Sequence, residues 1–431
     1  MSTQPSDRVL IIGGGLAGLA LAQGLKKAEP PVPFHIFERD SSATYRAQGY
    51  RIRIWGDGAN ALKHLLPDQL WPAFEATCAQ LTPGARRLDA LTNEVGEMEI
   101  PRAAIPSGMP YNADRTMLRS VLMAGLEEHI SFGKVFEDYE VDADSGNVIA
   151  RFTDGTVEIG KILVGADGVR SLVRKTFLPE LKPLDSEGRA IFGKTHLDNK
   201  QILKKASEHL TTGGIIITSE GQGVPLKLFS EAIYFNRELG GNEVAGFTLP
   251  PDYIYWVLCI RADAITDSGG ELKDEQELLG LDSEGSVKLA SDLTANWNER
   301  IRAVFENQNP GSASTLSFFI CEPGNFKSSW EHIRLDKPQE PIILLGDAAH
   351  PMPPVGAVGA NTAFQEAEDL FETLVRVYNT PDGGKVEEEL RGYERRLVER
   401  ALGSIEKSTA GAGNFWGMRP VGELKTAVVW R

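Results

Sequence analysis

The chain has little of what marks several protein classes. Its 431 residues include three cysteines, Cys78, Cys259 and Cys321, too far apart for a CxxC pair. That spacing excludes the dithiol of a disulfide reductase, and an odd count suits a reducing compartment. Seven scattered histidines form no HxxxH or Cys/His cluster, so no metal site is expected. No stretch approaches the ~20 apolar residues of a membrane helix. The first apolar run, Val9 to Ile12, is too short and too soon followed by glycine for a secretion signal. The expected location is therefore cytoplasmic, with no membrane partner. Basic charge is also in deficit: 45 Lys and Arg against 60 Asp and Glu leave a net charge of −15. This removes any general attraction for nucleic acid or anionic lipid. Internal repeats and low-complexity segments are absent.

Glycine is the excess, 44 residues, about a tenth of the chain against a usual ~7%. Its positions organise the reading. Val9-Leu10-Ile11-Ile12 is a continuous apolar run, as expected of a strand buried on both faces of a parallel sheet. Gly13 to Gly18 then lead into a helical pattern ending near Lys27, and a second strand follows at Phe34 to Phe37. This is a βαβ unit. Further helical periods lie at 115–129, 361–377 and 385–408, and buried strands at 161–164 and 342–345. Between about 186 and 265 strands follow one another without helices, at 190–195, 214–219, 226–229, 243–249 and 253–261, the pattern of an antiparallel sheet.

Three motifs carry chemistry. Gly13-Gly14-Gly15-Leu16-Ala17-Gly18 is a GxGxxG between strand and helix. Glycines there allow the tight turn, the approach of a pyrophosphate to backbone and the packing of helix on strand. Glu38, twenty residues past Gly18, ends the second strand, where a carboxylate accepts from a ribose diol. Arg39 beside it either stacks on an adenine or is solvated. The second motif, Gly165-Ala166-Asp167-Gly168, turns out of a strand toward Ser171 and Arg174. The third runs Gly346-Asp347-Ala348-Ala349-His350-Pro351 and continues through Gly356 and Gly359-Ala360 into a helix. A loop of such small residues can lie flat against a planar ring, with a helix start facing it.

Together the three motifs resemble those of the class A flavoprotein monooxygenases, which carry GxGxxG, DG and GD signatures in this order. Gln48 to Ile54 and Pro351 to Gly356 look most like the branch serving fungal secondary metabolism. The resemblance implies an α/β fold of the p-hydroxybenzoate-hydroxylase kind: a Rossmann-like FAD-binding domain, an inserted, mainly antiparallel substrate sheet and C-terminal helices. Residues 1–80, 106–185 and 325–380 are expected to form the discontinuous FAD-binding domain. Residues 81–105 and 186–324 would then form the substrate domain, and 381–431 the C-terminal helical segment. The implied cofactor is FAD, with NAD(P)H as a transient co-substrate and O2. By the same resemblance Gly13, Gly15, Gly18, Glu38, Arg39, Gly49, Arg115, Asp167, Asp347, Gly359 and Ala360 are cofactor-binding residues.

The implied reaction is hydroxylation or epoxidation of an aromatic, indole or polyketide-type natural product through a flavin C4a-hydroperoxide. Arg189, at the start of a strand in the inserted sheet, is expected to face the flavin and orient an ionised substrate. Tyr234 is a second pocket candidate, and His350 is expected to pack or cap near its loop. No second dinucleotide fingerprint is present, in keeping with transient NAD(P)H. The alternatives are a flavin-dependent halogenase, against which the lack of a Trp-x-Trp segment counts, and a flavin-binding protein without turnover. The expected assembly is a monomer or weak homodimer.

Overall fold

The computed structural model describes residues 5–43, 50–81, 85–96, 110–219, 225–237, 241–265, 275–337, 340–380 and 386–427. Two sheets dominate it. Five parallel strands lie in the order Ile342–Leu344, Ile162–Gly165, Val9–Ile12, Phe34–Glu38 and Ile130–Phe132. Val9–Ile12 and Ile162–Gly165 are buried along their whole length, which is why they read as unbroken apolar runs. The helices Leu16–Lys27 and Gly359–Asn379 pack beside each other and bury an apolar stripe in the same core.

The second sheet has seven strands in the order Ser314–Ile320, Leu184–His196, Tyr253–Arg261, Lys227–Ile233, Gly214–Thr218, Ala85–Asp89 and Val95–Gly96. All neighbours pair antiparallel except Gly214–Thr218 with Ala85–Asp89. Alternation divides its residues between two cores. Ala190, Phe192, Tyr253, Tyr255 and Val257 join the core shared with the parallel sheet. Ile191, Ile254, Trp256, Leu258 and Ile260 join a separate core with the helices Ser283–Leu293 and Glu299–Glu306.

Three expected elements differ. The strand expected at 243–249 is a small hairpin of its own, Glu243–Val244 with Phe247–Thr248. Positive φ at Ala245 and Gly246 reverses the chain there before a long strand can form. The helix expected over 115–129 stops at Met123, and Gly125 adopts a positive φ just beyond it. The C-terminal helix is longer than its pattern indicated, Val386–Trp416. Its last residue, Trp416, is fully buried, donates to Ser186 O at 3.3 Å and packs 5.4 Å from the Phe318 ring.

A two-stranded ribbon, Arg51–Ile54 with Tyr111–Asp114, meets the seven-stranded sheet through charge. Glu231, wholly buried, receives Arg51 at 2.6 Å and Arg53 at 2.7 Å, and Asn112 Nδ2 donates to it at 3.3 Å. Burial lowers the Arg51 pKa, and the Glu231 charge opposes that shift. Removing one partner of such a group strands the others in a desolvated site. Glu231→Gln should therefore cost about 3–5 kcal/mol of unfolding free energy, measurable by urea denaturation; a loss near zero would show the triad to be solvated.

Candidate active site

The strand Val9–Ile12 ends at Gly13, whose φ of +111° is closed to most side chains. A Cβ there would lie 2.3 Å from Ala166 O, so the glycine lets the turn approach the neighbouring strand end. Gly18 is required in the same way, its Cβ falling 2.3 Å from Gly13 O. Gly15 is different. It precedes the helix Leu16–Lys27 with an ordinary extended backbone, makes no side-chain cap, and has only Ala166 O, at 4.0 Å, beside its Cβ position. The protein itself makes no demand for glycine here. The free N–H groups of the helix start and the open space above Gly15 suit a pyrophosphate lying against backbone.

Glu38 is brought to this turn. Its Oε2 accepts from Gly14 N at 2.7 Å and its Oε1 from Asp40 N at 2.9 Å, which leaves further lone pairs for a ribose diol. Arg39 points to solvent. Gly49 lies outside the described residues. Arg119, which sequence reasoning did not select, donates to Gly14 O at 3.1 Å and supports the turn from behind.

The DG and GD turns are joined by a residue whose role the sequence did not reveal. Arg174, buried, donates to Val169 O at 2.7 Å, to Ala348 O at 2.8 Å and to Asp347 O at 3.3 Å. Asp167 Oδ2 caps the helix Leu172–Phe177 by accepting from Leu172 N at 2.8 Å and Val173 N at 3.3 Å. Its Oδ1 is buried without a partner, a vacancy that a ligand hydroxyl would satisfy, and burial raises the carboxyl's pKa.

Asp347 stands on a single turn, Gly346–Ala348, directly after the strand Ile342–Leu344. Its side chain is accessible while Gly346 and Ala348 on either side are buried. Burial raises its pKa; the charges of His350 and Arg115 act in the opposite sense, which places Arg115 close enough to be felt. His350 is fully buried, 2.6 Å from Glu366 Oε1, while Glu366 Oε2 accepts from Gly346 N at 3.0 Å. Burial alone would lower the imidazole, but the charge and hydrogen bond of Glu366 together with the Asp347 charge raise the pKa. The loop after His350 reaches Gly359 and Ala360, half-buried at the start of the helix Gly359–Asn379. That start is anchored by Asn361, which donates to Arg53 O at 2.9 Å and accepts from Trp55 N at 3.0 Å.

Arg115 opens the helix Arg115–Met123 behind Asp114, its N-cap. Its guanidinium lies 5.6 Å from the Tyr50 ring centroid, and its backbone N donates to Tyr50 O at 2.9 Å. Arg115 and Asp347 feel each other's charge, and Arg174 ties the turn that carries Asp347 to Val169, two residues past Asp167. The two residues expected from the inserted sheet are not there. Arg189 shares its face with Ile191 and pairs with Asp185 at 2.7 Å and Glu275 at 3.1 Å, on the side away from the parallel sheet. Strand alternation is the reason: a bulge between Asp185 and Arg189 resets the register, and the cleft-facing positions become Ala190, Phe192 and Lys194. Tyr234 also turns away, packing on the outer core and donating to Thr211 O at 2.9 Å. Among the described residues no His, Cys, Asp and Glu group could hold a metal, and no helix is long and apolar enough to cross a membrane.

Residues 331–402 match the family model described as an FAD binding domain. The dual O-methyltransferase/FAD-dependent monooxygenase elcB of Phaeosphaeria nodorum is 32% identical over 97% of this chain, which spans about half of that protein, 47%. The FAD-dependent monooxygenase phnB of Penicillium herquei is 23% identical over 92% of this chain and 88% of its own. A solved structure of a FAD-containing monooxygenase from Photorhabdus luminescens superposes with a TM-score of 0.73, at 24% identity, over 95% of this chain and 99% of the other. These relatives are named as monooxygenases and not as halogenases. Over nearly its whole length the chain is thus similar to FAD-dependent monooxygenases of fungi.

FAD fits the residues present: an open glycine cradle at Gly15, the Glu38 carboxylate, the unpartnered Asp167 Oδ1 and the accessible Asp347. Gly15→Val should fill the cradle without a clash inside the protein. Its expected signature is FAD binding weakened by about tenfold or more, ~1.4 kcal/mol, with unfolding free energy changed by no more than about 0.5 kcal/mol. Fluorescence titration of the apoprotein with FAD, alongside urea denaturation, measures both. Full FAD affinity in this variant would show that the cradle does not hold the pyrophosphate.

Proposed function

We propose that this protein is a class A flavoprotein monooxygenase that inserts one oxygen atom into an aromatic or polyketide-type small molecule of fungal secondary metabolism, at the expense of NAD(P)H and O2. In balance, substrate C–H, O2, NAD(P)H and a proton give substrate C–OH, water and NAD(P)+. Bound FAD supplies the transfer of electrons from NAD(P)H to O2 and the activation of oxygen. The chain's own residues do the remainder. The cradle at Gly13 to Gly18 and Glu38 would hold the nucleotide, and Asp347 stands on the turn before the loop that ends at Gly359 and Ala360. The observation that carries the reading is the meeting of the three turns: Arg174 ties the DG and GD turns together, and the glycine turn packs against Ala166 and Asp167, whose Oδ1 is left without a partner.

The pairing of monooxygenase and O-methyltransferase in the name of the elcB relative supports a hydroxylated product, since oxygenation creates a hydroxyl that methylation can consume. The same reading takes the protein to be cytoplasmic and a monomer or weak homodimer. Epoxidation is the variant outcome if the attacked carbon lies in a double bond that adds oxygen without losing hydrogen.

The test uses FAD-loaded protein, NADPH or NADH, and a panel of phenols, naphthols, indole alkaloids and aromatic polyketides under 18O2. At least one compound should accelerate NAD(P)H oxidation and yield a product heavier by one 18O atom. NAD(P)H oxidation that no compound stimulates, with no labelled product, would leave a flavin-binding protein without turnover.

A further inference from the structure

Resting on that reading and on the fit of FAD beside Asp347, we propose that Glu366, acting through His350, is the positioning residue that sets the charge Asp347 presents to the cofactor. Glu366 stands on the helix Gly359–Asn379, which begins where the loop after His350 ends, and reaches back to the turn where that stretch starts. There it grips both sides of Asp347. Its Oε2 accepts from Gly346 N at 3.0 Å, and its Oε1 lies 2.6 Å from His350 Nε2. The backbone N of His350 donates to Gly346 O at 3.0 Å, so the turn that carries Asp347 is closed by the same residues. Glu366 and His350 are wholly buried, whereas Asp347 is exposed. Neither buried group can meet a ligand; Asp347 can.

Shut away from water, an imidazole or a carboxylate alone would shed its charge, and the close contact between them is what lets both keep it. His350 Nδ1 has no partner, so no second acceptor quenches the imidazolium, and its field reaches Asp347. Burial pushes the Asp347 carboxyl up, and the His350 charge is the strongest of those that oppose it; the Glu366 charge acts in the other sense, more weakly than His350. The remaining groups around the pair do not titrate near neutrality. Arg115 and Arg174 carry guanidinium groups, which stay charged. Burial pushes the Cys321 thiol up to about 12 and the Tyr393 phenol well above its ordinary value. The Phe326 ring, 6.2 Å from the imidazole and edge-on to it, closes the site on another side. Removing the Glu366 charge therefore discharges His350 and leaves Asp347 readier to take a proton, which weakens it as an acceptor for a cofactor hydroxyl.

NMR of the full chain labelled with 15N-histidine reads the imidazole directly, with His350→Gln assigning its signal. His350 should be doubly protonated at about pH 7 and neutral in Glu366→Gln, where burial is no longer opposed by that carboxylate. FAD affinity is then measured by fluorescence titration of the apoprotein between about pH 6 and about pH 9. Glu366→Gln should bind FAD about tenfold more weakly at the lower pH, the worth of a hydrogen bond to a charged group. It should regain wild-type affinity at the higher pH, because Asp347 recovers its charge as the pH rises through its pKa. His350→Gln, which removes the cation while its amide can still donate to Glu366, should behave alike. In an Asp347→Asn background neither substitution should weaken FAD further. A neutral His350 in the wild type, a loss of affinity that persists at about pH 9, or an equal loss in the Asp347→Asn background would overturn the inference. This coupling without any oxygenated product from the compound panel would sink the proposed function and leave the inference standing; oxygenated product without the coupling would do the reverse.

Discussion

A guanidinium removed from water must find acceptors, and the buried Arg174 finds them in two turns that are far apart in the chain. It donates to Val169 beside the DG turn and to Asp347 and Ala348 in the GD turn. Leaving these donors unmet would be costly, so the two turns have one favourable mutual placement. The strands that deliver them, Ile162–Gly165 and Ile342–Leu344, are hydrogen-bonded neighbours in the parallel sheet. The arginine therefore converts strand adjacency into a defined geometry at the carboxyl ends, where open α/β sheets bind their ligands. Asp167 and Asp347 share its field, and burial raises the pKa of both.

The meeting of the two sheets follows the same economy of buried charge. Glu231 on the seven-stranded sheet faces Arg51 and Arg53 on the ribbon, and Lys194 on the sheet faces Asp114 on the ribbon. Apolar surfaces alone slide over one another at little cost, whereas displaced ion pairs leave desolvated charge. The wall of Tyr50, Phe192 and Tyr255 is thereby held in register with Arg115. The buried His350 and Glu366 brace the GD turn from below through Gly346 N.

Much of this was legible in the sequence where the physical cause is local. The unbroken apolar strands, the glycine turn and the helix starting at Gly359 each reflect a demand of the backbone or of one face on neighbouring residues. The ends of elements were less legible. Positive φ at Ala245 broke an expected strand, and the C-terminal helix ran on to a tryptophan that only the packed sheet explains. Arg189 shows the limit most clearly. A single bulge shifts the alternation of its strand, so a residue that reads as facing the cleft turns to Glu275 on the other side.

The sequence by itself determined the kind of protein: spaced glycines, Glu38 and two aspartates after buried strands leave few uses other than holding a flavin dinucleotide. Such motifs are contiguous because a turn and a helix start are made by consecutive residues. The tertiary structure alone decided which side chains meet across elements: Arg174 with the GD turn, Glu231 with two arginines, and Lys194 with Asp114. Those contacts join residues 80 to 180 positions apart, and their strength comes from desolvation inside a packed interface, a property that no local stretch of chain possesses.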